Sequence, residues 1–256
     1  MLKPAGTTQW IKALTPNPRS RARLFCFPYA GGGAVIFRDW ARALPPDIEV
    51  CAATLPGRGS RMLEPPLTRL SAVVAHLTDA ITSYLDKPFA FFGHSMGALT
   101  AFELARRLSR EVGVEPKCLL VSGCRAPHLP DPDPPPYALP EPELIGYLRR
   151  LNGTPEEVLE KRELMELMMP ILRADFEAVS TYAYVEGTPL GCPASAYGGL
   201  RDPMVRREHL AAWREHTAAG FALRMFDGDH FFIHQTAPQL IGAISSELSR
   251  LMGEVA

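Results

Sequence analysis

Gly93-His94-Ser95-Met96-Gly97 constrains this chain more than any other stretch. It fits G-x-S-x-G between an apolar run, Phe89-Ala90-Phe91-Phe92, and a helix-forming run, Ala98 to Ala105. A strand that feeds a helix through one tight turn forces the turn residue into a strained backbone and leaves its hydroxyl clear of the sheet edge. Glycine on either side lets strand and helix approach without a Cβ clash. The N-terminal N–H groups of the following helix point at the same spot, so negative charge developing near Ser95 is stabilised there. Ser95 is therefore the candidate nucleophile, and the rest of the chain must supply a base, an acid and an oxyanion hole.

Upstream, Leu24-Phe25-Cys26-Phe27 reads as a buried strand that stops at Pro28-Tyr29-Ala30-Gly31-Gly32-Gly33. Such a glycine turn, ahead of a helix expected from about Val35 to Leu44, can aim N–H groups at a ligand. The phosphate-cradle reading is weak because no Gly-Lys-Ser/Thr follows. In a serine hydrolase the loop after an early strand donates one oxyanion N–H and the residue after the nucleophile the other, which makes Ala30 and Met96 the candidates. Ile48 to Ala53 is the next strand. Its following loop, Leu55 to Arg61, carries Arg58 and Arg61, either to meet an anionic substrate or partner or as solvated loop charges. Leu70 to Leu85 has helical apolar spacing, with His76 off the stripe, and Lys117 to Ser122 is again a buried strand. Strands alternating with helices argue an α/β protein with a mostly parallel sheet flanked by helices.

The alternation breaks at His128 to Pro142, where Pro130, Pro132, Pro134, Pro135, Pro136, Pro140 and Pro142 exclude helix and central strand. Glu143 to about Val185 then reads helical throughout. Residues 128–185 are thus expected to be an all-helical lid inserted into a core made of 1–127 and 186–256. The sheet resumes at Cys192 to Tyr197. Asp202 lies in the loop beyond it, a helix follows around Glu208 to Thr217, and Phe221 to Phe226 is the last strand. His230 comes just before a final helix with apolar spacing from Ile233 to Leu251. The order Ser95, Asp202, His230 suits a catalytic triad. Competing residues are His234, His94, which abuts Ser95 but is expected to project away from it, and Asp175, Asp227 and Asp229.

The balance of 46% hydrophobic and 21% charged residues is that of a globular protein, and 256 positions suffice for one large α/β domain or two small ones. A net charge of -1 gives no reason to expect nucleic acid or an anionic membrane as partner. Met1 to Trp10 lacks a signal peptide and no run suits a membrane span, so a cytoplasmic protein is expected. Cys26, Cys51, Cys118, Cys124 and Cys192 lie in or beside apolar runs without C-x-x-C, as buried reduced thiols do.

Five segments together carry a resemblance: Phe27 to Gly32, Leu55-Pro56-Gly57-Arg58, Gly93 to Gly97, Leu172-Arg173-Ala174-Asp175-Phe176 and Gly228-Asp229-His230-Phe231-Phe232. In order and spacing, from about Arg23 to Leu251, the chain resembles the type II editing thioesterases of polyketide and nonribosomal peptide synthesis. The resemblance implies an α/β-hydrolase fold with a helical lid, the triad Ser95, Asp202 and His230, and oxyanion donors at Ala30 and Met96. It implies removal of stalled acyl groups from the phosphopantetheine arm of acyl or peptidyl carrier proteins; the chemistry requires no metal or diffusible cofactor, and a monomer is expected. Carrier proteins of this kind are acidic, so Arg58 and Arg61, taken as exposed near the entrance, become candidate carrier contacts, and Tyr29 and Phe231 candidate substrate contacts. Asp175 falls in a lid motif, which favours a structural or channel role over a place in the triad. Two other readings stay open: a carboxylesterase or lipase on oxygen esters, and a non-catalytic binding protein of the same fold.

Overall fold

In the computed structural model, residues 10–131 and 134–253 are described. Met1 to Gln9, most of the stretch read for a signal peptide, and Pro132 of the proline run lie outside the described residues. In chain order the strands are β1 (Ile11–Ala13), β2 (Ala22–Phe27), β3 (Ile48–Ala53), β4 (Phe89–His94), β5 (Leu119–Ser122), β6 (Ala194–Gly199) and β7 (Phe221–Phe226). The α-helices are α1 (Trp40–Ala43), α2 (Leu70–Ile81), α3 (Met96–Val112), α4 (Glu141–Leu151), α5 (Glu156–Leu159), α6 (Arg162–Ser180), α7 (Arg207–Ala211), α8 (Phe232–Gln235) and α9 (Ala237–Gly253).

The sheet order is β1-β3-β2-β4-β5-β6-β7, parallel throughout except for β1, which runs antiparallel to β3. Side chains alternate between the faces of each strand, so an unbroken apolar run feeds two cores. Phe25, Phe27, Cys51, Phe91, Leu119 and Val121 pack with α2 and α3 on one face. Leu24, Cys26, Val50, Phe92 and Leu120 pack with α1 and α9 on the other. This is the mostly parallel, helix-flanked sheet that the strand and helix alternation implies.

The insertion after β5 holds α4, α5 and α6, which share a small cluster of Leu144, Leu148, Leu159, Met165, Met169 and Leu172. It is not continuously helical to Val185. Asn152 takes a left-handed φ of 58° at the end of α4, and α6 stops at Ser180, leaving 181–189 without helix. Two other expected helices are also split. Ala34–Phe37 is a 3-10 turn ahead of the short α1, and Thr236 separates α8 from α9, where Pro238 suits only a new first turn. β6 lies two residues later than expected, and the sequence reading missed β1, a three-residue edge strand of which only Ile11 is buried.

Candidate active site

The carboxyl ends of β2, β4, β5, β6 and β7 are kept level by the pairs Phe27 with Gly93, His94 with Ser122, Ser122 with Tyr197, and Gly199 with Phe226. Ser95 sits on this edge between β4 and α3 with φ 54° and ψ -119°. That conformation is costly for a residue with a Cβ and survives only where its surroundings dictate it. Here they do, because the Ser95 N–H donates to the Ser122 carbonyl at 2.8 Å. A Cβ on Gly93 would lie 2.0 Å from the Gly97 carbonyl oxygen, and one on Gly97 would lie 2.0 Å from that of Phe27. Both glycines of the motif are thus demanded by close backbone approach.

His230 follows β7 and is buried, and its Nδ1 shares a 2.8 Å hydrogen bond with Oδ2 of Asp202. The Asp202 side chain is fully covered, and its Oδ1 accepts the N–H groups of Met204 and Val205 at 2.8 and 3.1 Å. That turn locks the carboxylate, and a carboxylate on Nδ1 favours the tautomer in which Nε2 is the free acceptor. The competing acids are committed elsewhere. Asp227 pairs with Arg201, and Asp175 pairs with Arg58. Asp229 accepts from Asn152, Gln235 and the Phe231 N–H. Burial opposes its ionisation, but those bonds outweigh it and hold its carboxyl below the usual range.

His94 lies beside His230 and not on the cavity wall that Ser95 lines. It is fully buried, shares a 2.9 Å hydrogen bond with Ser122 Oγ, and its ring lies 5.3 Å from that of His230. Desolvation, then the neighbouring His230, holds it well below the usual imidazole range, so it packs as a neutral ring beside His230. His234 Nε2 bonds the Tyr29 hydroxyl at 2.9 Å instead.

Ser95, His230, Ala30 and Met96 all line one cavity of about 600 Å³. The size suits a small organic group. Leu99, Cys124, Phe176 and Val179 supply apolar wall, and Tyr182, whose hydroxyl donates to Glu103 at 2.7 Å, lines both this cavity and a larger groove between α2, α3 and residues 181–190.

Four predicted contacts fall differently. Arg58 and Arg61 are not exposed cations at the entrance. Arg58 is buried against Asp175, while Arg61 is buried against Glu64, donates to the Thr54 carbonyl and lies 4.1 Å from the Trp10 ring centre. A planar guanidinium with matched carboxylate partners can be covered where a lone cation cannot. Tyr29 and Phe231 pack edge to face, 4.9 Å between ring centres, with Phe231 against His230, and neither lines the cavity. The sequence reading also missed what Asp175 reaches, the Gly31 N–H at 2.7 Å; its motif was visible, but its partner 144 residues away was not.

The family model described as Thioesterase domain matches residues 22–248. The chain belongs to this thioesterase family. It is 45% identical over 250 residues to Linear gramicidin dehydrogenase LgrE of Brevibacillus parabrevis, covering 96% of this chain and 95% of that one. To Gramicidin S biosynthesis protein GrsT of Aneurinibacillus migulanus it is 43% identical over 240 residues, 94% of each chain. Among solved structures, the type II thioesterase BorB from the borrelidin biosynthetic cluster superposes with a TM-score of 0.87 at 37% identity, over 96% of this chain and 100% of that one. The thioesterase family membership and this likeness give the sheet its class, the α/β-hydrolase fold, and make the chain a hydrolase.

Proposed function

We propose that this thioesterase hydrolyses acyl groups from the phosphopantetheine arm of acyl or peptidyl carrier proteins, clearing stalled intermediates in polyketide or nonribosomal peptide assembly. The observation that carries the chemistry is the strained Ser95 sharing a cavity with a His230 already oriented by Asp202. The full-length similarity to biosynthetic proteins such as GrsT and BorB supports the pathway. His230 Nε2 takes the Ser95 proton as Oγ attacks the thioester carbonyl, and Asp202 stabilises the imidazolium. The Ala30 and Met96 N–H groups hold the oxyanion, each worth about 3 kcal/mol of barrier. A thiol with a pKa of about 8.5 leaves easily, and water activated by His230 then frees the acid and restores Ser95.

The steps use this chain's own side chains and backbone N–H groups together with water, and call for no cofactor. The proposal takes the protein as a cytoplasmic monomer that meets carrier domains and not nucleic acid or membrane; among the described residues no helix is long and apolar enough to cross a bilayer. The helical insertion acts as a lid. The dehydrogenase activity in the name of LgrE is not carried over. At the glycine turn after β2 the Gly31 N–H is taken by the Asp175 carboxylate and is not free for a dinucleotide pyrophosphate.

Intact-mass analysis of a carrier protein loaded with acetyl, propionyl or longer acyl groups tests the reading. Wild type is expected to strip the acyl mass and Ser95→Ala to leave it, losing at least about 10⁴-fold in rate. Cleavage of simple oxygen esters with no change in carrier mass would convert the assignment to an esterase.

A further inference from the structure

The turn that carries Ala30 is held from three sides. Its own closure is the Gly32 N–H donating to the Tyr29 carbonyl at 2.9 Å, with Gly31 at φ 76° in the third position. A turn of this type needs a positive φ there. The Tyr29 carbonyl and the Ala30 N–H belong to one planar peptide unit, so fixing the first fixes the direction of the second. The other two anchors come from outside the turn. Asp175 of α6 accepts the Gly31 N–H at 2.7 Å through Oδ2 and takes a two-pronged contact from Arg58 at 2.5 and 2.8 Å. Arg58 in turn donates to the Gly32 carbonyl at 3.2 Å. Leu172, one helical turn before Asp175, lies so close that a Cβ on Gly31 would come within 2.7 Å of its Cδ2.

We infer that Asp175, with Arg58, is a positioning residue of the oxyanion hole: a carboxylate on the helical insertion holds the Ala30–Gly31 turn in its working orientation. The inference deepens the proposed function and rests on Ala30 as an oxyanion donor. The Asp175 and Arg58 side chains are 4% and 9% exposed, so removing the carboxylate leaves a covered guanidinium and the Gly31 N–H without their partner. Because Asp175 rides on α6, the turn is braced only while α6 is seated on the sheet edge. Seating α6 and completing the oxyanion hole are therefore coupled.

The test uses the whole protein and three variants, Asp175→Ala, Asp175→Asn and Arg58→Ala. The probes are a small soluble acyl thioester, a trifluoromethyl ketone of the same acyl chain that forms an oxyanion adduct on Ser95, and the corresponding alcohol, which forms none. A mis-aimed donor is expected to lower kcat/KM by about 10-fold to 100-fold, with the ketone inhibition constant rising by the same factor. The affinity for the alcohol should change by less than about 3-fold. Asp175→Asn keeps the shape and one acceptor for Gly31, so it reports on the same turn if the alanine variant fails to fold, and its loss should be smaller. Folded variants with an unchanged ketone constant would overturn the inference, as would equal losses for ketone and alcohol. If wild type neither cleaves the thioester nor binds the ketone, the thioesterase reading falls and takes this one with it; an active wild type with unaffected variants removes this one alone.

Discussion

The elbow at Ser95 and the helical insertion after β5 are held in opposite ways. The elbow is fixed by backbone: a strand buried on both faces, two glycines with no room for a Cβ, and a main-chain bond from Ser95 to Ser122. The insertion is fixed by side chains. Its own apolar cluster is small, and it reaches the core through polar anchors such as Asp175 with Arg58 and Asn152 with Asp229 at 2.8 Å. Backbone anchoring gives a site whose geometry is set once folding is complete, whereas side-chain anchoring leaves a segment that fewer contacts hold in place. The difference fits the proposed division of labour, chemistry at the elbow and access under the insertion.

Breaking the chemistry should be blind to the substrate's carrier. Asp202→Asn is expected to lower turnover by about 10⁴-fold, equally for a small soluble thioester and for a carrier-bound one; a loss confined to the carrier-bound substrate would move Asp202 out of the chemistry. Gly97→Ala tests the backbone anchoring, since its Cβ meets the Phe27 carbonyl. A cost of about 3 kcal/mol or more in urea unfolding is expected. The matching change in the insertion is Leu148→Ala, in a cluster of its own. A loss of about 2–3 kcal/mol is expected there, read as faster proteolysis within residues 134–185 while the global Tm moves little. A Tm falling as far as in Gly97→Ala would erase the contrast between the two regions.

The smallest effect is the pH dependence of the core. Burial, then the nearby His128, lowers His216 to about 4, and His94 is held well below its ordinary value. In the unfolded chain both take up a proton below about pH 6.5. Between there and about pH 4 the unfolded state binds more protons, so stability falls as pH drops through that window. A Tm series over the window should slope downward on acidification, and His216→Asn should flatten it.

What was legible in the sequence follows from how local each constraint is. The elbow is encoded in nine consecutive residues, Phe89 to Gly97, and could be read directly. Asp202 could be ordered but not separated from Asp227, Asp229 and Asp175, because separation required knowing that each of those carboxylates has another partner. Arg58 looked like a free loop cation because its partner lies 117 residues away. The insertion read as continuous helix because its leucines were followed past Asn152-Gly153-Thr154-Pro155, a stop signal that the sequence does carry and at which the chain turns against Phe231.

Cys124 lines the acyl cavity and is buried, and desolvation pushes its thiol up to about 12. A cysteine there could in principle capture the acyl group from a thioester, exchanging one sulfur for another and leaving the enzyme acylated at the wrong atom. Exchange of that kind proceeds through the thiolate, and with a pKa of about 12 only about one molecule in 10⁵ carries one at pH 7. The covered wall proposed to receive the acyl chain keeps this sulfur chemically silent, so Cys124 does not compete with the oxygen of Ser95.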